Sequence, residues 1–395
     1  MLSEKTIRYS HEFASVFLGV DALYRAHPDG DHIGLVIMNL AEGAITPTRF
    51  ADIDQALTHL LDLQYRSVDL PEPDRRLFYQ QLCHTTASIL KWLRDGLPFP
   101  DRIRDFLHLD GIPPSASDLD SFRTQMQSLL TDMGYHGDLR AQCAEWEKRN
   151  RVPPDEVKQV MEVLLDEGWE RTHRLISIPA TKDDGLSVVT LSSDHFNARC
   201  DYRTRIVAIN IDPVITRPAL KHLVVHEAYP GHYVQFKIRQ THYHNGTGTA
   251  EALFSMLKSP SSCLFEGLAD SGMHLLEWFE GDDDRFIMLM NRYQAGIAAA
   301  ASWRLHHLGL AHDDVRNWLR DQALIGGEAW VSHRMGYISP KQRGMHIWSY
   351  WKGEPILTSV WERIAVDDRP VFLDYLFGRL HSPQTVHMFE QNQSH

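Results

Sequence analysis

Four cysteines in 395 residues are too few and too widely spaced to build a framework. Cys83, Cys143, Cys200 and Cys263 lie roughly sixty residues apart, which suits neither a zinc knuckle nor a redox pair. Reduced, buried thiols are the expectation, and they point to the cytoplasm. No run approaches the roughly eighteen apolar residues that a membrane-crossing helix needs. The N-terminal stretch MLSEKTIRYSHEF has no basic segment leading into an apolar one, so no secretory leader is expected. Positive charge is also short: 40 Lys and Arg against 52 Asp and Glu give a net charge of −12. That balance repels phosphate backbones, and no local basic patch offsets it. Nucleic acid and membrane are therefore not expected partners.

What is present is an ordinary globular balance in a chain long enough for two lobes sharing a cleft. The expected fold is mainly α, a helical metallopeptidase-like plan with a small antiparallel β-sheet beside a metal-binding helix. Residues 1–170 are expected to form an N-terminal helical region and one wall of the cleft. Residues 171–395 would hold the metal-binding catalytic region, the sheet and the C-terminal helices. Apolar residues recur at helical spacing in RRLFYQQLCHTTASILKWLRD, DSFRTQMQSLLTDMGY and PPDEVKQVMEVLLDEGWERTHRLI, the last opened by Pro153 and Pro154. Two β-branched runs, Gly185 to Leu191 and Arg205 to Ile211, predict antiparallel strands, with HFNARCDYRT between them as a loop or a further strand. A helix is expected from a Thr216 cap through ALKHLVVHEAY, a second from about Ser262 to Glu280, and a third from Arg285 to His307. Gly326 to Gly353 reads as a long ordered loop, THYHNGTGT as a flexible one, and the last forty residues as peripheral helix.

The chemistry concentrates in His226-Glu227-Ala228-Tyr229-Pro230-Gly231-His232. A His followed by Glu at the end of an apolar helix opens many zinc hydrolase sites: the imidazole binds the metal, and the carboxylate takes a proton from its water. The usual second His, four residues on, is replaced here by Pro230. His232 lies six residues after His226, about 240° round an ideal helix and facing away. Pro230 and Gly231 supply a reason for the helix to break and return His232 to the metal. Glu266, on the next helix in LFEGLADSGMHLLEW, is the expected third ligand, with Gly267 permitting close helix approach. Asp270, one turn on, is placed to hold the second nitrogen of a ligand His.

These residues resemble the bacterial family called domain of unknown function 885, whose members are regarded as zinc metallopeptidases related in plan to the gluzincins. The resemblance rests on His226, Glu227, Pro230, Gly231, His232 and Gln235, then on Phe265, Glu266, Gly267 and Ala269. Weaker matches are Phe196-Asn197 with Tyr202, the strand ending at Asn210, and Tyr350 with Gly353, so the likeness covers roughly residues 170 to 355. It implies zinc on His226, His232 and Glu266, and Glu227 as general base. The chain departs from the family in having Leu268 where Trp is usual, and in a longer stretch between Pro340 and Tyr350.

Other residues compete for roles. His222 with His226 forms an i, i+4 pair that can itself bind zinc; the alternative is a core histidine one turn before the site. A donor for the developing oxyanion is needed, and His306, His307, Arg334, Arg343 and Tyr350 are the candidates, with Tyr350 favoured by the resemblance and His307 next. The strand Ile206 to Ile211 would be an edge able to add a peptide. The expected function is zinc-dependent hydrolysis of peptides or small amides. Two rivals stand beside it: a non-haem iron oxygenase, which also uses two His and a carboxylate, and a non-catalytic binding protein stabilised by its metal. Glu227 favours hydrolysis, since a carboxylate beside the ligand has a role there and none evident in oxygen chemistry.

Overall fold

In a computed structural model of the chain, which describes residues 2–179, 185–192 and 198–389, helices dominate. In chain order they begin with α1 (Glu4–Ala26), α2 (Ile53–Ser67), α3 (Pro73–Asp95), α4 (Phe99–Leu107), α5 (Ala116–Asp132), α6 (Leu139–Asn150) and α7 (Val157–Leu175). Next come α8 (Arg217–Leu223), α9 (His232–His244), α10 (Ser262–Asp270), α11 (Gly272–Leu275) and α12 (Asp282–His306). The chain continues through α13 (His312–Gln322), α14 (Gly327–Ile338), α15 (Ile347–Trp361), α16 (Arg369–Gly378) and α17 (Pro383–Val386). The strands are β1 (Val36–Asn39), β2 (Ser187–Leu191), β3 (Ala198–Asp201), β4 (Ile206–Asn210) and β5 (Phe254–Met256). Many helix starts carry a side chain that accepts an orphan backbone N–H: Ser3, Asp52, Asp138 and Thr216 do so, and Ser115 forms a reciprocal box with Asp118.

The expectation of a mainly α fold with a small antiparallel sheet holds, the sheet being β1 with β5. The strands read near residue 200 form a second sheet in the order β2-β4-β3, in which β4 pairs parallel with β2 and antiparallel with β3. β3 takes up the open alternative within HFNARCDYRT and claims one side of β4. That leaves β2 only the other side, where it runs parallel. β4 is thus the central strand and not the expected edge. The weaker match at Phe196-Asn197 lies outside the described residues.

Other boundaries moved for local reasons. α7 begins at Val157, three residues after Pro154. Pro153 to Glu156 instead make a turn closed at 2.9 Å. The single helix expected from 262 to 280 breaks at Ser271 and ends at Leu275. The first four residues of THYHNGTGT are the end of α9, so His242 and His244 are helical. The stretch from Gly326 to Gly353 is mostly α14 and α15, not a long loop.

Contacts divide the chain into two compact units. One combines Met1–Gly111, Gln235–Gly267 and Pro355–His395. Phe13, Phe17, Phe78 and Phe106 are buried in it, as are Phe372, Leu376 and Phe377, and Arg379 and Gln384 bond to Asp74 and Gln81 of α3, so the last segment is not peripheral. The other combines Ile112–Val234 and Leu268–Glu354. Its axis is α12, whose small Ala298 to Ala301 are buried and whose Gly296 faces Leu119 of α5, where a Cβ would come within 2.8 Å. Among the described residues no helix is long and apolar enough to cross a membrane.

Candidate metal centre

The helix that carries the site is anchored before it reaches the candidate metal ligands. Thr216 caps α8, with Pro218 in its first turn. The fully buried Lys221 ammonium donates to Asp284 at 2.6 Å and pairs with Glu280 at 3.0 Å, over the Trp278 ring. Two carboxylates and a ring face offset the cost of burying that charge.

Beyond Leu223 the helix widens. Val224 to Ala228 form a single turn of larger radius, closed by the Tyr229 N–H on the Val224 carbonyl, five residues back, at 2.9 Å. A cis Tyr229-Pro230 bond and Gly231 follow, and α9 opens on His232. A Cβ on Gly231 would stand 1.8 Å from the His226 carbonyl oxygen, so no side chain fits there. This break overturns the facing-away geometry of an ideal helix. The rings of His226 and His232 lie 4.7 Å apart at 80°.

Glu266 is carried on α10. Gln235 fixes the residue before it, donating its amide to the Phe265 carbonyl at 3.1 Å while accepting from Arg239 at 3.2 Å. His226, His232 and Glu266 each offer one ligand atom, and these atoms lie within 4.8 Å of one another. Two imidazoles and a carboxylate, with His226 and Glu266 buried, form a donor set that suits zinc. Asp270 Oδ1 lies 2.8 Å from His226 Nδ1. With that hydrogen donated to Asp270, Nε2 is the nitrogen left for a metal. Gly272 lets this segment approach the wide turn: a Cβ there would meet Val225 Cβ at 2.6 Å.

His222 stands apart from the trio. Its Nε2 lies 3.6 Å from Asp270 Oδ1, and burial pushes its pKa down to about 4. It fits the core-histidine alternative, a neutral ring behind the ligand. Glu227 is also buried, and its Oε2 accepts the Cys200 backbone N–H at 2.9 Å. That donor sits on β3, an outer strand of its sheet, so strand geometry holds the carboxylate.

Within the second unit a cavity of about 440 Å³ opens on this face, lined among others by His226, Glu227, Asp270 and Tyr350. The Tyr350 ring lies parallel to that of His226, with centroids 6.3 Å apart. Arg334 and Arg343 line the same cavity. His307 does not. It is exposed at the end of α12 with its ring on Trp303, because α12 stops one residue before it, and it is withdrawn as a site residue. His306 is spent on the Ile338 carbonyl at 2.7 Å. Sequence reasoning missed Arg292, Tyr337 and Glu354 in the lining, as well as Gly272. Glu354 lies four residues after Tyr350, one turn along α15, and that spacing was the available signal.

No protein family matches the chain in sequence, and no curated protein does. Two solved structures share its fold. One is a candidate lipoprotein from Colwellia psychrerythraea, 13% identical, covering 86% of this chain and 70% of that one with a TM-score of 0.59. The other is a candidate lipoprotein of unknown function from Shewanella oneidensis, 14% identical, covering 86% and 72% with a TM-score of 0.54. At such identities the likeness establishes the fold alone.

Proposed function

We propose that this chain is a zinc-dependent hydrolase of peptides or small amides, with the plan that its resemblance to domain of unknown function 885 implies. One observation carries the reading: donor atoms of His226, His232 and Glu266 converge within 4.8 Å, with the Glu227 carboxylate next in sequence to a ligand and lining the same cavity. These three residues would hold the metal. When bound, zinc supplies polarisation of the scissile carbonyl and an acidified water. Glu227 accepts a proton at the oxygen that Cys200 leaves free and passes it to the leaving amine. Asp270 keeps His226 in the tautomer that presents Nε2. Tyr350 is the oxyanion donor we favour, since its ring lies over His226. A cavity of about 440 Å³ suits a short peptide better than a folded protein. The four free thiols, three of them buried, favour the cytoplasm, which cell fractionation would check.

The test is metal content by mass spectrometry on protein purified without added metal or chelator. Wild type should hold about one zinc, while His232→Ala and Glu266→Ala lose it. Glu227→Gln should keep the metal and lose about a hundredfold to ten-thousandfold in turnover of a peptide library. Iron in place of zinc would favour the oxygenase reading, and a Glu227→Gln protein with unchanged ligand binding and no turnover to lose would favour a binding module.

A further inference from the structure

Three guanidinium groups line the cavity in front of His226 and Glu227, and they are not equivalent. Arg292 is committed: its Nε lies 3.2 Å from Glu354 Oε2, and its Nη1 donates to the Tyr350 carbonyl at 3.1 Å. Arg334 and Arg343 form no ion pair with any carboxylate among the described residues. The Nε of Arg334 is buried and makes no hydrogen bond there, and its guanidinium lies 5.5 Å from the Trp330 ring centroid. Arg343 is half-buried in a turn fixed by backbone bonds from residues 343 and 344 to the Pro340 carbonyl. Beside it Gly344 packs so closely that a Cβ would meet the His306 ring at 2.4 Å. The acids of the cavity are hydrogen-bonded or paired elsewhere, Glu227 with Cys200, Asp270 with His226 and Glu354 with Arg292, and Asp270 reaches Arg334 only through its field, without an ion pair.

A guanidinium withdrawn from water without a paired carboxylate is costly, and its planar fork matches a carboxylate well. We propose that Arg334 and Arg343 form a carboxylate-binding subsite, so that the substrates are short peptides or amides bearing a free carboxylate. This inference rests on the hydrolase reading for its function but not for its binding. The carboxylate comes either from a free C-terminus or from an acidic side chain, and Arg334 and Arg343 would recognise the same group in both.

Binding is measured by calorimetry on the chelator-treated chain, so that the outcome is independent of turnover. The probes are N-acetyl-phenylalanine, N-acetyl-phenylalanine amide and N-acetyl-glutamate α-amide. The expected result is that at least one acid binds about tenfold or more tightly than the neutral amide, and that Arg334→Gln and Arg343→Gln each erase the difference. Preference for the first acid assigns the C-terminus, and preference for the glutamate derivative assigns the side chain. Arg334→Lys, which keeps the charge and removes the fork, should fall between wild type and Arg334→Gln, and it serves if the Gln variant fails to fold. Equal binding of acids and amide by wild type overturns the proposal, as does discrimination that survives in folded variants. Discrimination by a chain that, as purified without chelator, carried no zinc would leave the subsite standing and remove the hydrolase.

Discussion

A single carboxylate decides how His226 is presented. Asp270 touches Nδ1 at 2.8 Å and fixes the tautomer of the ring. Asp270→Asn keeps the shape but accepts more weakly, and its amide can turn a donor toward the ring. Zinc affinity should fall about tenfold to hundredfold in a competition titration with a chromophoric chelator, while the circular dichroism spectrum stays unchanged. Unaltered affinity would mean that Asp270 only fills space. At this scale much of the site could be read in advance. The candidate ligand trio was expected from residue types that have few other uses side by side, and the structure brings those three residues together; Arg334, Arg343 and Tyr350 were candidates for another task. Arg292 and Gly272 were not legible, because each acts through a neighbour far away in sequence. His307 misled because a histidine at a helix end is equally a cap.

The wide turn at Val224 to Ala228 is the element on which the ligand spacing depends, and it is wedged from outside. Gly168 of α7 faces it so closely that a Cβ would meet Val224 Cγ1 at 2.8 Å, with Trp278 and Tyr229 beyond. Gly168→Ala should therefore cost about 1–3 kcal/mol in urea unfolding. Val224→Ala makes room for the added methyl, so the double variant should be less destabilised than the sum of the singles by about 0.5 kcal/mol or more. Strict additivity would show that the two helices do not meet as described. Elements were legible where the apolar period was clean, as in α3, α5 and α7. They were obscured where glycines and aromatics mixed, as in α14 and α15, because Trp and Tyr fill core positions without an aliphatic stripe. The wide turn itself has no local pattern beyond Pro230 and Gly231, since the contacts that permit it come from α7 and Gly272.

Across the molecule, stability should be lost in weak acid before the carboxylates titrate. His108 hydrogen-bonds to Thr85 and the Gln81 carbonyl, and burial first, then His84, hold its pKa near about 4. Burial first, then Arg75, pushes His381 well below its usual range. An unfolded histidine takes its proton near about pH 6.5, so below that point the unfolded chain binds protons that the folded chain refuses. The stability present above about pH 6.5 is thus lost as the pH falls toward 4. His108 alone accounts for on the order of 3 kcal/mol. Urea midpoints measured from pH 7 to pH 4 should slope downward, and His108→Gln should flatten that slope; an unchanged slope would mean that His108 already carries a proton when folded. The division of the chain has a consequence for synthesis. The unit that contains Met1–Gly111 also needs the segment from Pro355 onward, while the other unit is complete at Glu354. The helices of Met1–Gly111 are therefore made well before the segment from Pro355 onward that completes their unit, and Asp74 and Gln81 lack Arg379 and Gln384 until then. For this chain, the segment that synthesis reaches early belongs to the unit that synthesis completes late.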